Sequence, residues 1–374
     1  MAVAAAALMV TGCGKKGTSK VCSTIDSTMQ DIAETAMMEA MGEWQGETAE
    51  VIVMDVQTGD IKALVNLKIE DGDTIPQRSE ENYAMTECVE MGGIFKPAAM
   101  MVALDDKKVT LDTQVDVGNC TYDFYGSEMR DGSSQGGVMD LRTCFARTSH
   151  IGMARIIDEN YADSAQAFVD GLRRVGMGID LKIDGCNSPF IKAPGDSAWQ
   201  KTTLPWMAIG YESLLTPMHI CAFYNGIANK GVMVAPRMET VVVEENGKKT
   251  ATPATILVEK MCSEQTLKDM QELLCLAVSS KDGIGRKARC WSTRVCAFAG
   301  SSQLDTDKEG MVEYMISCCG YFPAESPRFT CYVGMRKKGL PAKGSGMMAP
   351  VFSNIVKEIM DASNRYGIHG TTKE

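Results

Sequence analysis

The stretch EMGGIFKPAAMMVALDD, residues 90–106, carries one lysine, Lys96, at the head of an apolar run. An amine placed one helical turn from a hydroxyl can take its proton and make it a nucleophile, because side chains three positions apart on a helix are neighbours. The residue three positions before Lys96 is Gly93, which has no side chain to activate. Of the 24 lysines, none has Ser or Thr at that offset, and only Lys16 has a cysteine there, Cys13. The stretch thus holds the base of a nucleophile pair without the nucleophile.

Other chemistry-bearing residues are sparse. His150 has the residue type of a general base near neutral pH, yet no orienting partner is visible beside it, and a lone histidine of this kind reads more simply as structural. The three histidines are far apart and no Cys-x-x-Cys pair exists, so neither a zinc site nor any other metal or cofactor is expected. DTDKEG, residues 305–310, mimics the first half of a calcium loop, but its twelfth position is Ile316 and a hairpin turn is the better reading. A net charge of −10 with no Lys/Arg cluster excludes nucleic acid as a partner. The 14 cysteines include Cys221, Cys275 and Cys318 in apolar runs, where they read as small buried hydrophobes, and the 27 methionines read as core filler.

These residues need elements to position them. Residues 23–41 have helical spacing after a Ser/Thr/Asp start, and 49–67 reads as a hairpin turning at Gln57 to Asp60. A helix is expected from the Gly93 region to Leu104, with Pro97 in its first turn. Residues 139–176 read as helical with a break near Ser149 to Gly152, and 180–197 as a Gly/Pro/Asp-rich loop. A helix runs from Thr216 and Pro217 to Asn229, stopped by Gly231. A hairpin across Asn246 and Gly247, a helix over 263–278, strands over 293–299, 311–320 and 328–336, and a closing helix over 350–362 complete the pattern. Strands at both ends of the chain with helices between them predict an α/β (α+β) fold: one antiparallel sheet flanked by helices, with an inserted helical subdomain.

The leader MAVAAAALMVTGCGKKGTSK is a short apolar stretch ending at Gly12 and Cys13, then a polar segment. That order resembles a lipoprotein signal, in which Cys13 is lipidated, although no Lys or Arg precedes the apolar stretch. Export is expected, with the chain periplasmic or at the outer face of the cytoplasmic membrane and held there by the lipid. The expected organisation is 1–20 leader and linker, 21–362 one domain, and 363–374 a tail.

Seven segments in order, STIDSTMQD, VIVMDVQTGDIKALV, EMGGIFKPAAMMVALDD, ARTSHIGMARIID, TTLPWMAIGYESLLTPMHICAFYNGIANKGVMVAPR, GYFPAESPRFTCYVGM and APVFSNIVKEIM, together resemble the transpeptidase domain of class B penicillin-binding proteins, the D,D-transpeptidases that cross-link peptidoglycan. The resemblance covers residues 21–362 and implies the penicillin-binding-protein/serine β-lactamase-like transpeptidase fold. It leaves no room before residue 21 for the N-terminal module that usually precedes this domain.

That family works with three motifs, SxxK, SxN and KTG: an attacking serine with its lysine, a proton-moving serine with a substrate-holding asparagine, and a cation that binds the substrate carboxylate. Carried over residue by residue, Gly93 stands at the nucleophile position and Lys96 keeps the lysine. Thr148, Ser149 and His150 occupy SxN, and Phe298, Ala299 and Gly300 occupy KTG, followed by Ser301 with a hydroxyl for a bound peptide. No displaced copy of a motif exists: none of the ten asparagines has Ser or Thr two positions earlier. The resemblance therefore implies a catalytically dead transpeptidase fold that serves cell-wall synthesis as a scaffold or as a weak binder of peptidoglycan stem peptides, with stem peptide or cell-wall synthesis proteins as partners. Weak binding is expected because Phe298 removes the carboxylate's counter-charge. Lys96 is expected to persist by pairing with a backbone carbonyl or Thr148. The alternatives are an active wall enzyme with an unrecognised nucleophile, and an envelope structural protein without ligand.

Overall fold

The computed structural model describes residues 18–366, apart from 71, 133–135, 246–247 and 307–309. Cys13, His369 and most of the leader and tail lie outside the described residues. The N-terminal and C-terminal strands make one antiparallel sheet. It comprises β1 (Thr48–Asp55), β2 (Ile61–Lys68), β3 (Gln77–Arg78), β4 (Cys296–Thr306), β5 (Val312–Phe322) and β6 (Phe329–Lys338), in spatial order β4-β5-β6-β1-β2-β3. β6 pairs with β1 from Phe329 opposite Asp55 to Arg336 opposite Thr48, which joins the two ends of the chain.

Why the central strand is apolar on both faces follows from what lies on either side of it. Val51 and Val53 of β1 join a core with α1 (Ser27–Trp44) and α8 (Gly344–Tyr366). Ile52 and Met54, pointing the other way, join a second core with the helical subdomain. That subdomain contains α2 (Lys96–Asp105), α3 (Leu141–Ala146), α4 (His150–Tyr161), α5 (Ala165–Arg174), α6 (Pro217–Ala228) and α7 (Glu264–Ser279). α1 buries Met29, Ala33, Ala36, Met37, Ala40 and Met41, a stripe at helical period. Every residue of α6 is buried, as befits a helix apolar on all sides, and Thr216 caps it by accepting from His219 N–H.

Most expected elements are present, shifted by a few residues, and three differences have physical causes. The closing helix starts at Gly344 rather than 350, with Pro350 inside it. Met347, Met348 and Ala349 before Pro350 are buried against the sheet, and that burial outweighs the lost N–H. Residues Thr18–Ser23, expected as linker and helix start, form a strand paired along its whole length with residues 239–244. Cys275, read as a buried hydrophobe, is instead disulfide-bonded to Cys296 and ties α7 to the start of β4. Cys221 and Cys318 are buried free thiols as expected.

β1 carries a carboxyl that is fully buried. Glu50 of β1 sits over Gly334, accepts from Tyr332 Oη at 3.3 Å, and leaves Oε2 without a partner among the described residues. Burial, with the nearby Glu87 carboxylate, pushes its carboxyl up to about 8, against the opposing pull of the Tyr332 hydrogen bond toward the charged form. The folded chain therefore holds a proton there that the unfolded chain releases near 4.5, so this contribution to stability is complete below pH 4.5 and is lost as pH rises through about 8. Thermal melts across pH 5 to 9 should show the wild type falling behind Glu50→Gln as pH rises; parallel curves would show that Glu50 is charged in the fold.

Candidate active-site cleft

The turn that carries Lys96 is built by its neighbours. Gly92–Phe95 forms a 3-10 turn leading into α2, and α6 reaches across to hold it: Tyr224 Oη donates to Ile94 O at 3.0 Å. β4 presses on the same turn from the other side. A Cβ at Gly93 would lie 3.2 Å from Gly300 Cα, and a Cβ at Gly300 would come closer than 3.0 Å to Ile94 N and to the Gly93 carbonyl carbon. Gly92, with φ of +56°, likewise has Ser301 backbone and side-chain Cβ of Ser302 against it. Two backbones thus meet where a nucleophilic side chain would need room.

Lys96 is fully buried beneath this contact. Its Nζ donates to Thr148 O at 2.7 Å and to Thr148 Oγ1 at 2.8 Å, the pairing expected from the sequence. Thr148 is left-handed, with φ of +56°, a costly conformation for a β-branched residue, and it presents both oxygens to the amine. Burial holds the ammonium down to about 7, against the opposing pull of Asp131 and Cys144.

The loop between α3 and α4 is ordered by a residue that the sequence reading missed. Asp131 accepts from Ser149 Oγ at 2.6 Å, from His150 N at 2.5 Å and from Ile151 N at 3.1 Å. Ser149 Oγ in turn accepts from Gly152 N at 2.9 Å, so the hydroxyl is the cap of α4. His150 faces the cleft, and the Lys96 charge, then burial, lower its imidazole to about 3, far from the pKa of an efficient base at neutral pH. The other nucleophile type nearby, the Cys144 thiol, is buried and pushed up to about 12.

The cleft itself has a volume of about 370 Å³ and brings together Gly93, Thr148, Ser149, His150, Ala299, Gly300 and Ser301. Asp131, Arg147, Lys343 and Ser345 share its lining and were not singled out from the sequence. Phe298 does not line it: the ring is buried against Phe145, centroids 4.8 Å apart.

The family described as "Penicillin binding protein transpeptidase domain" matches residues 49–357. The chain belongs to the penicillin-binding-protein transpeptidase family. Among curated members it is 24% identical to the probable peptidoglycan D,D-transpeptidase PenA of Neisseria flavescens over 96% of this chain and 85% of that protein. It is 23% identical to the peptidoglycan D,D-transpeptidase FtsI of Escherichia coli over 91% of this chain and 56% of that one, so it spans little more than half of this longer relative. The TP domain of penicillin-binding protein 3 from Burkholderia pseudomallei superposes with a TM-score of 0.75 at 23% identity, covering 92% of this chain and 96% of that one. A Burkholderia ambifaria structure described as a peptidoglycan glycosyltransferase gives 0.74 at 23% identity, covering 92% and 98%. The penicillin-binding-protein fold expected from the sequence is the one observed.

Two outcomes test the geometry of this transpeptidase-family cleft. Gly300→Ala should lose about 3 kcal/mol in urea denaturation and Gly93→Ala about 1–2 kcal/mol, because the first meets fixed backbone and the second needs only a small shift. Equal or negligible losses would mean that the contact is looser than described. In NMR titration His150 should stay neutral from pH 5 to 8, and Lys96→Met should raise its midpoint toward the ordinary 6.5.

Proposed function

We infer that this protein is a non-catalytic member of its family, a pseudoenzyme that serves peptidoglycan synthesis by holding a stem peptide weakly in its cleft or by contacting cell-wall synthesis proteins. The observation that carries this reading is the meeting of Gly93 and Gly300: the position assigned to the nucleophile has no oxygen, and the neighbouring backbone leaves it little space. Loss of a catalytic serine from a hydrolase costs on the order of a millionfold in turnover. Further support comes from the remaining candidates. The Lys96 amine is occupied by Thr148, the Ser149 hydroxyl by Asp131 and Gly152, and the Cys144 thiol is protonated at neutral pH. Each removes one route to the alternative of an active enzyme with another nucleophile.

The cleft also favours a binding role over a purely structural one. β4 is the outer strand of the sheet, and its Ala299–Ser301 segment lines the cavity, where an extended peptide can add to its edge. Its curated relatives are named as peptidoglycan D,D-transpeptidases, which supports a wall peptide as the ligand class. Export, with a lipid on Cys13 as the membrane attachment, belongs to the same proposal. Among the described residues no helix is long and apolar enough to cross a membrane.

Incubation of the full chain with a fluorescent penicillin, followed by denaturing electrophoresis and intact-protein mass measurement, should give no adduct. Gly93→Ser should also fail to label, since it restores an oxygen in a crowded position while Lys96 stays committed to Thr148. A stable adduct on any cleft residue of the wild type would overturn the pseudoenzyme reading.

A further inference from the structure

We propose that Cys88 and Cys186 are a disulfide-forming pair, a modification site that braces the chain as it enters the Lys96 turn. The two thiols lie on segments remote in sequence that the fold lays side by side. Asn187 N donates to Met85 O at 2.8 Å and Asn187 Nδ2 to Thr86 O at 2.5 Å. Just beyond, Val89 and Leu215 exchange backbone hydrogen bonds at 3.1 and 3.0 Å. Cys88 sits between these two sets of contacts, next to Val89, and Cys186 is the residue before Asn187.

The side chains converge as well. Cys88 Sγ donates to Ser188 O at 3.7 Å, two residues past Cys186. Cys186 Sγ donates to Asn187 O at 3.7 Å and lies 3.6 Å from Thr216 Oγ1, beside the Val89–Leu215 bridge. Both sulfurs therefore occupy the corner between residues 86–89, 186–188 and 215–216. The Cys88 sulfur is near enough for the other thiol to feel it: burial raises Cys186 above its ordinary value, Thr216 opposes, and Cys88 adds to the rise. Both thiols are free and half-buried. The other half-buried free thiols among the described residues stand elsewhere: Cys22 on the strand Thr18–Ser23, Cys120 with its N–H donating to Val117 O, and Cys290 with its sulfur 3.4 Å from Ser292 Oγ.

A disulfide needs Cα atoms no more than about 7 Å apart, which suits segments held at hydrogen-bond distance. The Cys275–Cys296 bond shows that sulfurs of this chain do pair, and such bonds persist in the oxidising compartments to which export leads. Closure needs an oxidant, and a small-molecule disulfide supplies it. The Cys88 thiolate attacks that disulfide, forming a mixed disulfide and releasing one small thiolate; the Cys186 thiolate then attacks the Cys88 sulfur and releases the second. Two protein thiols are oxidised, one small disulfide is reduced, and the two protons end on the small thiols released. The bridge closes a loop of about 100 residues, so it restricts the unfolded chain strongly. In the folded chain it ties the residues leading into Gly92–Phe95 to the loop that abuts the Thr216 cap of α6. Lys96 follows that turn directly.

The test incubates the full native chain with oxidised glutathione, blocks the remaining thiols, and maps the disulfides by non-reducing proteolysis and mass spectrometry. A cross-linked peptide joining Cys88 to Cys186 should form, while Cys22, Cys120 and Cys290 should carry single glutathione adducts or stay free. In Cys186→Ser, Cys88 should keep the glutathione that Cys186 displaces in the wild type. Oxidation should raise the melting temperature of the wild type by about 5 °C, as closure of a loop of this size predicts, and should give no such gain in Cys186→Ser. Glutathione on both cysteines without a cross-link, two unreacted thiols, or pairing of either with another cysteine would overturn the assignment. A cross-link that forms with no thermal gain would overturn the bracing.

Discussion

The contact between Gly93 and Gly300 governs the whole site. It brings the turn before α2 and an outer strand of the sheet together at backbone distance, with fixed backbone against any side chain at Gly300 and a tight approach of 3.2 Å at Gly93. Strand and turn are each held from behind, β4 by its ladder to β5 and by the Cys275–Cys296 disulfide, the turn by Tyr224 of α6. A well-packed interior transmits such a constraint instead of absorbing it. The cleft that remains is bounded by this seam on one side and by the α3–α4 loop on the other.

The buried Lys96 shows how this fold satisfies an amine that is removed from water. An unpaired amine in this position would carry the full cost of desolvation, on the order of several kcal/mol. Two oxygens of Thr148 satisfy it, and Thr148 must take a left-handed backbone to offer both. The lysine and the strained threonine therefore explain each other. The proximity of that charge is also what depresses His150, so the three positions act as one electrostatic unit.

How much was legible beforehand depended on the range of the interaction. Helix and strand periods placed nearly every long element, because amphipathic stripes such as that of α1 are written in consecutive residues. The family and its fold were legible from ordered segments, and the Lys96–Thr148 pairing was anticipated from residue types. The start of α8, expected at 350, lies at Gly344 because burial of Met347, Met348 and Ala349 against the sheet outweighs the lost N–H of Pro350. Asp131, Arg147 and Lys343 carried no signal: each belongs to a different loop or helix end, and only the fold brings them within one cavity.

The sequence by itself determined which groups two positions lack, since no arrangement of the chain can give Gly93 an oxygen or Phe298 a charge. Tertiary structure alone decided that the backbone of β4 approaches Gly93, that Ser149 is a cap, and that cations from α3 and from the head of α8 line the same cleft as β4. The reason is physical: absence of a functional group is a local property of a residue, whereas proximity between distant residues is created by packing and has no trace in their spacing along the chain.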